Sequence, residues 1–307
     1  MADSESVQDI AASDSPDRLR FAAGPAASLT IGAQAKSARR SAATGRDFLF
    51  RTQAMTEDAT HITMTTLLRP GGRWPDDVML WHVRVPLAPT AWNRLQAWLS
   101  DDEQQQALRY RRDEDRLRFA ATRAVLRTLL ARHTGGVPLS LRFSSGPFGR
   151  PELDGYGDTL SFNVTHAGQH AFIALSDRRC VGVDIECIER VLDWQALLGT
   201  VCTDAEQRAL RMSGHVHGAH GFFRCWTAKE AVLKALGVGI GYGLQQVSVD
   251  PFAQGVQRVD APARGAWGDI TALQLHWIDD VAGYAGCIAF GPPGSVSAHP
   301  RQVPTSG

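Results

Sequence analysis

Three acidic side chains and two lysines, gathered on two short stretches, carry the chemistry open to this chain. Gly182-Val183-Asp184-Ile185-Glu186 sets two carboxylates two residues apart; in Trp226-Thr227-Ala228-Lys229-Glu230-Ala231-Val232-Leu233-Lys234 a third stands four residues ahead of a lysine. Strand alternation turns Val181, Val183 and Ile185 one way and Gly182, Asp184 and Glu186 the other, with the two anions about 6–7 Å apart. Helical spacing places Trp226, Glu230 and Lys234 on one face, with Lys229 beside them. Anions this close raise each other's pKa unless a cation offsets them. Hard oxygen donors with room for water suit Mg2+, which is held by one or two carboxylates together with substrate phosphates. The expected chemistry is a divalent cation held against a phosphate ester.

Each stretch also has a plainer reading. Asp184 and Glu186 would suit the solvated face of an edge strand, and Glu230 with Lys234 would suit a surface pair contributing about 0.3–0.5 kcal/mol. The combination, in this residue order, points to a site rather than to two unrelated surfaces.

G-V-D-I-E followed by F-x-x-x-W-T-x-K-E-A-x-x-K, from Phe222 to Lys234, resembles the signature of the 4′-phosphopantetheinyl transferases. Spacing and chain length resemble the surfactin-synthetase-activating (Sfp-like) type rather than the short trimeric holo-acyl-carrier-protein synthases, over about Val78 to Phe290. The resemblance implies an α+β fold of two similar α/β subdomains related by a pseudo-twofold axis, with the active site at their interface. It implies a monomeric, Mg2+-dependent enzyme that moves the 4′-phosphopantetheine arm of coenzyme A onto a serine of an apo acyl or peptidyl carrier protein, releasing adenosine 3′,5′-bisphosphate. Asp184, Glu186 and Glu230 would hold the metal, Glu230 would also take the serine proton, and Lys234 would stabilise the leaving phosphate.

The same resemblance assigns coenzyme A contacts. Gly149-Arg150-Pro151 looks like the family's G-K/R-P element, with Arg150 near the nucleotide phosphate. Asn163-Val164-Thr165-His166-Ala167-Gly168 looks like its N-x-S-H-x-G element, so that His166 would contact the 3′-phosphate and Thr165 would add a hydroxyl. Arg118 falls where the family carries an arginine on coenzyme A, and Lys229 would lie near the phosphates. Glu103 and Gln106 stand where some relatives carry lysines, with Arg109, Arg111 and Arg112 as neighbouring substitutes. Two rival functions share these residues: another Mg2+-dependent nucleotide phosphohydrolase or transferase, and a non-catalytic carrier-protein-binding module. The first would bind coenzyme A no better than ATP; a degenerate module has no physical need to keep like charges together.

The elements that must position these residues follow from pattern. Residues 1–75, rich in Ala, Ser, Asp, Thr and Arg, read as a disordered extension, and 291–307 as a flexible tail. Between them lie an α+β half over 76–178 and a second over 179–290 that carries the acids. In the first half a strand is expected at 78–85, a short helix at 90–99 and a capped start at Ser100 with Glu103 three residues on. A long helix should follow, with Leu117, Ala121, Ala124, Val125 and Leu129 as its stripe, Arg116, Arg118, Arg123 and Arg127 elsewhere on its surface, and Gly135-Gly136 as its stop. Paired strands are expected at 161–164 and 171–175, with Thr165–Gln169 between them. The second half repeats the plan: a strand at 181–186, a capped start at Thr203 with Glu206, a long helix over 222–236, and strands at 247–249, 273–278 and 284–290.

Charge and cysteine usage exclude several classes. Lys plus Arg equals Asp plus Glu at 32 each, so no global basic field marks a nucleic-acid partner. No run approaches the ~18 apolar residues of a membrane span, and the start of the chain shows no apolar signal region. Five cysteines without a C-x-x-C pair suggest buried thiols in a reducing, cytoplasmic setting. His215, His217 and His220 read as a flexible Gly-rich loop. Gly237, Gly239, Gly241 and Gly243 follow a helix instead of leading into one, which excludes a dinucleotide fingerprint.

Overall fold

The computed structural model describes residues 59–146, 148–189, 192–239, 243–260 and 270–296. Its architecture is α+β, with antiparallel sheets and helices packed on them. The first sheet runs in the order β1 (Thr65–Leu68), β2 (Met79–Arg84), β6 (His170–Ser176), β5 (Ser161–Ala167). β3 (Phe143–Ser145) and β4 (Pro151–Leu153) form a separate ribbon. The second sheet runs β7 (Val181–Cys187), β10 (Tyr284–Phe290), β9 (Gln274–Ile278), β8 (Gln257–Arg258).

Part of the extension expected over 1–75 is folded. Residues 1–58 lie outside the described residues, but α1 (Ala59–Ile62) and β1 are folded, with Thr65 opposite Val83 and Leu68 opposite Leu80. Four residues of β1 are too few for a period-2 signal; the exposed edge of β2 makes them a strand. At the other end, Gly291 N donates to Cys180 O and Gly294 N to Arg178 O, so the chain is still tied down where a tail was expected. Residues 297–307 lie outside the described residues.

α2 (Trp92–Leu95) leads to α3 (Asp101–Leu108), which opens on the expected capping box between Ser100 and Glu103. α4 (Asp113–Thr134) buries the expected stripe, but Arg127, expected on the surface, is only 2% exposed. Its Nε donates to Glu103 at 2.7 Å, so the capping glutamate carries a buried ion pair as well.

In the second half α5 (Trp194–Val201) precedes α6 (Asp204–Met212), which opens on the second expected capping box, Thr203 with Glu206. α7 (His215–Leu236) is longer than expected and takes in the histidines read as a loop. The glycines there serve close packing rather than flexibility: a side chain at Gly218 or Gly221 would collide with Trp194 or Leu210. α7 ends at Gly237 in the left-handed region (φ 70°), which turns the chain sharply out of the helix. The strand expected at 247–249 reduces to one bridge, Ser248 with Asp260. Thr165 and His166 belong to β5 itself, not to the turn after it. Among the described residues no helix is long and apolar enough to cross a membrane.

One core joins the two sheets. Leu80, Phe172 and Ala174 from the first pack with Val181, Val183, Ile185, Ile288 and Phe290 from the second. The apolar side of β7 therefore faces inward, as its alternation requires. β5 and β7, each at a sheet edge, run side by side without a backbone ladder. Side chains of β5 serve instead: Val181 N donates to Ser161 Oγ at 3.1 Å and Val183 N to Asn163 Oδ1 at 2.9 Å. Thr165 Oγ1 continues the row by donating to Asp184 Oδ1 at 2.9 Å. The spacing of 161, 163 and 165 is that of one strand face. These bonds satisfy edge N–H groups that would otherwise be buried without partners.

Candidate active site

Gly182 explains how closely the acidic strand can approach the lysine-bearing helix. A Cβ there would lie inside van der Waals contact with Ala231 O and Ala235 N, both backbone atoms of α7. The even-numbered side of β7 thus faces α7, which puts Asp184 and Glu186 toward the face that carries Glu230 and Lys234. Lys234 Nζ lies 2.5 Å from Asp184 Oδ1 and 3.4 Å from Val183 O. Asp184 is 0% exposed, Glu230 2% and Glu186 6%, which rules out a solvated strand face.

Three carboxylates buried on facing elements are costly unless positive charge is brought to them. Lys234 supplies part of it, and its side chain keeps 19% of its surface exposed. Asp184 Oδ2 and Glu230 Oε1 are buried oxygens outside the hydrogen bonds just described. As a donor set, hard oxygens on one strand and one helix fit a divalent cation of the Mg2+ kind.

The residues expected at coenzyme A divide into two groups. Arg118 reaches the β5–β6 turn: its Nε donates to Gly168 O at 2.8 Å, and its other nitrogens pair with Asp115 and with Glu114 at 3.3 Å. His166, half-buried, lies just before that turn on the opposite side of β5 from Thr165. Arg118, Thr165 and His166 are thus brought to one end of the first sheet. Thr165 differs from expectation in that its hydroxyl donates to Asp184.

Lys229 and Arg150 are placed elsewhere than expected. Lys229, 0% exposed, donates to Val201 O at 2.7 Å and to Glu206 Oε2 at 2.6 Å. One residue from Glu230 is about 100° around the helix, which turns Lys229 to the α5–α6 junction, away from the acids. Arg150 is half-buried, and desolvation of its guanidinium lowers its pKa from the ordinary value. Its Nη1 donates to Lys234 O and Ala235 O, and its Nη2 to Ser161 Oγ, Phe162 O and Val181 O. Those donors face protein acceptors, not a phosphate.

Sequence reasoning missed Ser161 and Asn163 as partners of β7; their alternation with Thr165 was the available signal. It also missed a compact group at Cys202, Glu206 and Cys225, whose ligand atoms lie within 4.8 Å of one another. Glu206 there already accepts from Thr203 N, Val249 N and Lys229. A hydrogen bond with Cys202, then burial, pushes the Cys225 thiol well above its ordinary range. The Lys229 ammonium already supplies the positive charge beside Glu206. All five cysteines are free.

Two family models match successive parts of the chain. Residues 180–288 match the family model described as 4′-phosphopantetheinyl transferase superfamily, and residues 86–178 the one described as 4′-phosphopantetheinyl transferase, N-terminal. A protein of Synechocystis sp. named a putative 4′-phosphopantetheinyl transferase is 38% identical over 156 residues, 50% of this chain and 63% of its own length. The 4′-phosphopantetheinyl transferase HetI of Nostoc sp. is 34% identical over 167 residues, 54% of this chain and 70% of its own. A phosphopantetheinyl transferase of Thraustochytrium sp. is 32% identical over 189 residues, 57% and 66% of the two chains.

Proposed function

The chain belongs to the 4′-phosphopantetheinyl transferase superfamily, and from that premise we propose that it transfers 4′-phosphopantetheine from coenzyme A to a serine of an apo carrier protein. The observation that carries the reading is the buried acid triad, with Lys234 against Asp184 and Arg118 and Thr165 at the adjoining sheet end. In the reaction the serine oxygen bonds to the β-phosphorus while the bond to the bridging oxygen breaks, and adenosine 3′,5′-bisphosphate leaves with the released charge. Glu230 is the group to accept the serine proton. Lys234, partly exposed, offers positive charge to the departing phosphate. Arg118 and His166 suit the nucleotide's phosphates. Asp184, Glu186 and Glu230 would hold Mg2+, which when bound neutralises charge on the pyrophosphate oxygens.

The finer assignments belong to the same proposal. The two family matches along one chain are what favours the Sfp-like type over a short single-unit synthase, and action as a cytoplasmic monomer is part of the same proposal. A pseudo-twofold relation between halves is supported by a repeated device: in each, the capping glutamate forms a buried ion pair with the long helix, Glu103 with Arg127 and Glu206 with Lys229. On this division the described residues of the two halves fall within 59–178 and 179–296. Incubation with coenzyme A, Mg2+ and an apo carrier domain should add the phosphopantetheine mass to the carrier. Absence of that gain on several unrelated carriers, with the protein folded, would overturn the reading; hydrolysis of ATP in its place would favour a nucleotide phosphohydrolase.

A further inference from the structure

Arg150 occupies the point where three elements of the site meet. From a single guanidinium, Nη1 donates to the carbonyls of Lys234 (3.0 Å) and Ala235 (3.1 Å) in the last turn of α7. Nη2 donates to Ser161 Oγ (2.9 Å) and Phe162 O (2.9 Å) on β5, and to Val181 O (3.2 Å) on β7. We propose that Arg150 is a positioning residue that fixes Lys234 over Asp184 by clamping the C-terminal turn of α7 to both strands.

Helix carbonyls in the last turn lack intrahelical partners, and a cation there is favourable on electrostatic grounds. Gly237 ends the helix one residue beyond Leu236, so the carbonyls of Lys234 and Ala235 lie in that last turn, where Lys234 O takes only a 3.2 Å bond from Gly237 N. Arg150 meets them from the ribbon that β3 and β4 form, where Gly149 takes a left-handed backbone (φ 78°) to start the Arg-Pro step. Ser161 Oγ, the acceptor for Arg150, also accepts from Val181 N. The clamp is therefore continuous with the row Ser161, Asn163, Thr165 that ends on Asp184. Lys234 and Asp184, the ion pair that joins α7 to β7, are held from their two backbones by one connected set of bonds. A lysine could not replace this fork: its single ammonium cannot span acceptors on three elements.

The consequence for catalysis rests on the transfer reading, but the clamp itself does not, and two measurements separate them. Hydrogen exchange is followed at Gly237 N and Val238 N, which donate to Lys234 O and Leu233 O. In Arg150→Lys these amides should exchange faster while those of α4 keep their protection. In steady-state assays with coenzyme A and an apo carrier, kcat should fall by about 10-fold to 10²-fold, as for a misplaced catalytic group, with the coenzyme A dissociation constant little changed. Ser161→Ala, which removes one acceptor, should move both readouts in the same direction by less, and serves if Arg150→Lys does not fold. A raised dissociation constant with kcat and exchange unchanged would make Arg150 a phosphate contact and overturn the proposal. Unchanged exchange in both variants would overturn it too. Faster exchange in a protein whose wild type transfers nothing would leave the clamp standing and refute only the transfer reading.

Discussion

Lys234 Nζ lies 2.5 Å from Asp184 Oδ1, joining the helix and the strand that carry the site's acids. The same carboxylate oxygen accepts from Thr165, which belongs to the other sheet. Asp184 is therefore the atom group on which the two sheets and α7 converge. An ion pair this buried is weak evidence for stability, because desolvation offsets most of the attraction. Its presence beside Glu186 and Glu230 makes better sense as a site that keeps negative charge ready for a cation.

Asp184→Asn tests that view. The amide keeps a partner for Thr165, relieves repulsion among the acids, and leaves Lys234 its 19% contact with solvent. The melting temperature without metal should change little. Wild-type protein should gain stability with added Mg2+, about 2.7 kcal/mol at a hundred times the dissociation constant, and the variant should lose that gain. Transfer should fall by at least about 10²-fold, the scale seen when charge stabilisation is removed. Melting curves with and without Mg2+, alongside the carrier mass assay, decide the matter; equal Mg2+ stabilisation in both proteins would remove Asp184 from the metal site.

Lys229→Met separates structure from catalysis one residue away from Glu230. The substitution leaves the Glu206 carboxylate buried at 2% exposure without its ammonium partner. Breaking such a pair costs about 3–5 kcal/mol, a large share of a total stability of about 5–15 kcal/mol. Denaturant titration should show that loss, while KM for coenzyme A, measured where the variant remains folded, should stay near wild type. A selective rise in KM would return Lys229 to the phosphates.

Legibility of the site tracked how local each cause is. Alternation in G-V-D-I-E and the i, i+4 spacing of Glu230 and Lys234 are properties of single elements, so sequence alone was enough to place those side chains on facing sides. Both capping boxes were legible for the same reason: Ser100 to Glu103 and Thr203 to Glu206 each span one helical turn. What Arg150 and Lys229 contact was not legible, since their partners come from sites 11–85 and 23–28 residues away. A basic residue beside a catalytic motif invites a phosphate reading. Which way it turns is decided by the packing of α5, α6 and β5, which no local pattern records. The histidines of α7 misled for a related reason: glycines that suggest a loop are here the small residues that let Trp194 and Leu210 approach the helix.

The His82–His170 pair sets an acid limit on stability. His82 Nε2 and His170 Nδ1 are 2.8 Å apart in stacked rings. Burial first, then the charges of His170 and Arg84, lowers the His82 pKa from 6.5, with Asp280 opposing; burial and Arg84 lower that of His170. Bases with depressed folded pKa values bind fewer protons in the native state than in the unfolded chain. Their contribution is therefore fully present above pH 6.5 and is lost as pH falls through the folded values. His82→Phe should cost about 1 kcal/mol at pH 7.5 through the lost hydrogen bond and should flatten the fall in stability toward pH 5. Denaturant melts at the two pH values provide the check, and an unchanged slope would remove the pair as its source.

Gly182→Ala probes the approach on which the whole site depends. Its new methyl group would meet Ala231 O and Ala235 N, backbone atoms that cannot rotate away. Relief requires α7 to move off β7, carrying Lys234 from Asp184. Overpacking of this kind costs about 1–3 kcal/mol, occasionally more. The change in position should reduce transfer by about 10-fold or more even below the melting temperature, because reacting groups misplaced by about 1 Å lose roughly 10²-fold. Gly199→Ala on α5, where a side chain meets nothing within 4 Å, is the matched control. It should raise stability by about 0.5–1 kcal/mol through helix propensity and leave transfer intact. Loss of transfer in Gly182→Ala alone ties activity to the β7–α7 contact. Equal activity in both variants would show that Lys234 and Asp184 tolerate a wider gap than the close approach at Gly182 implies.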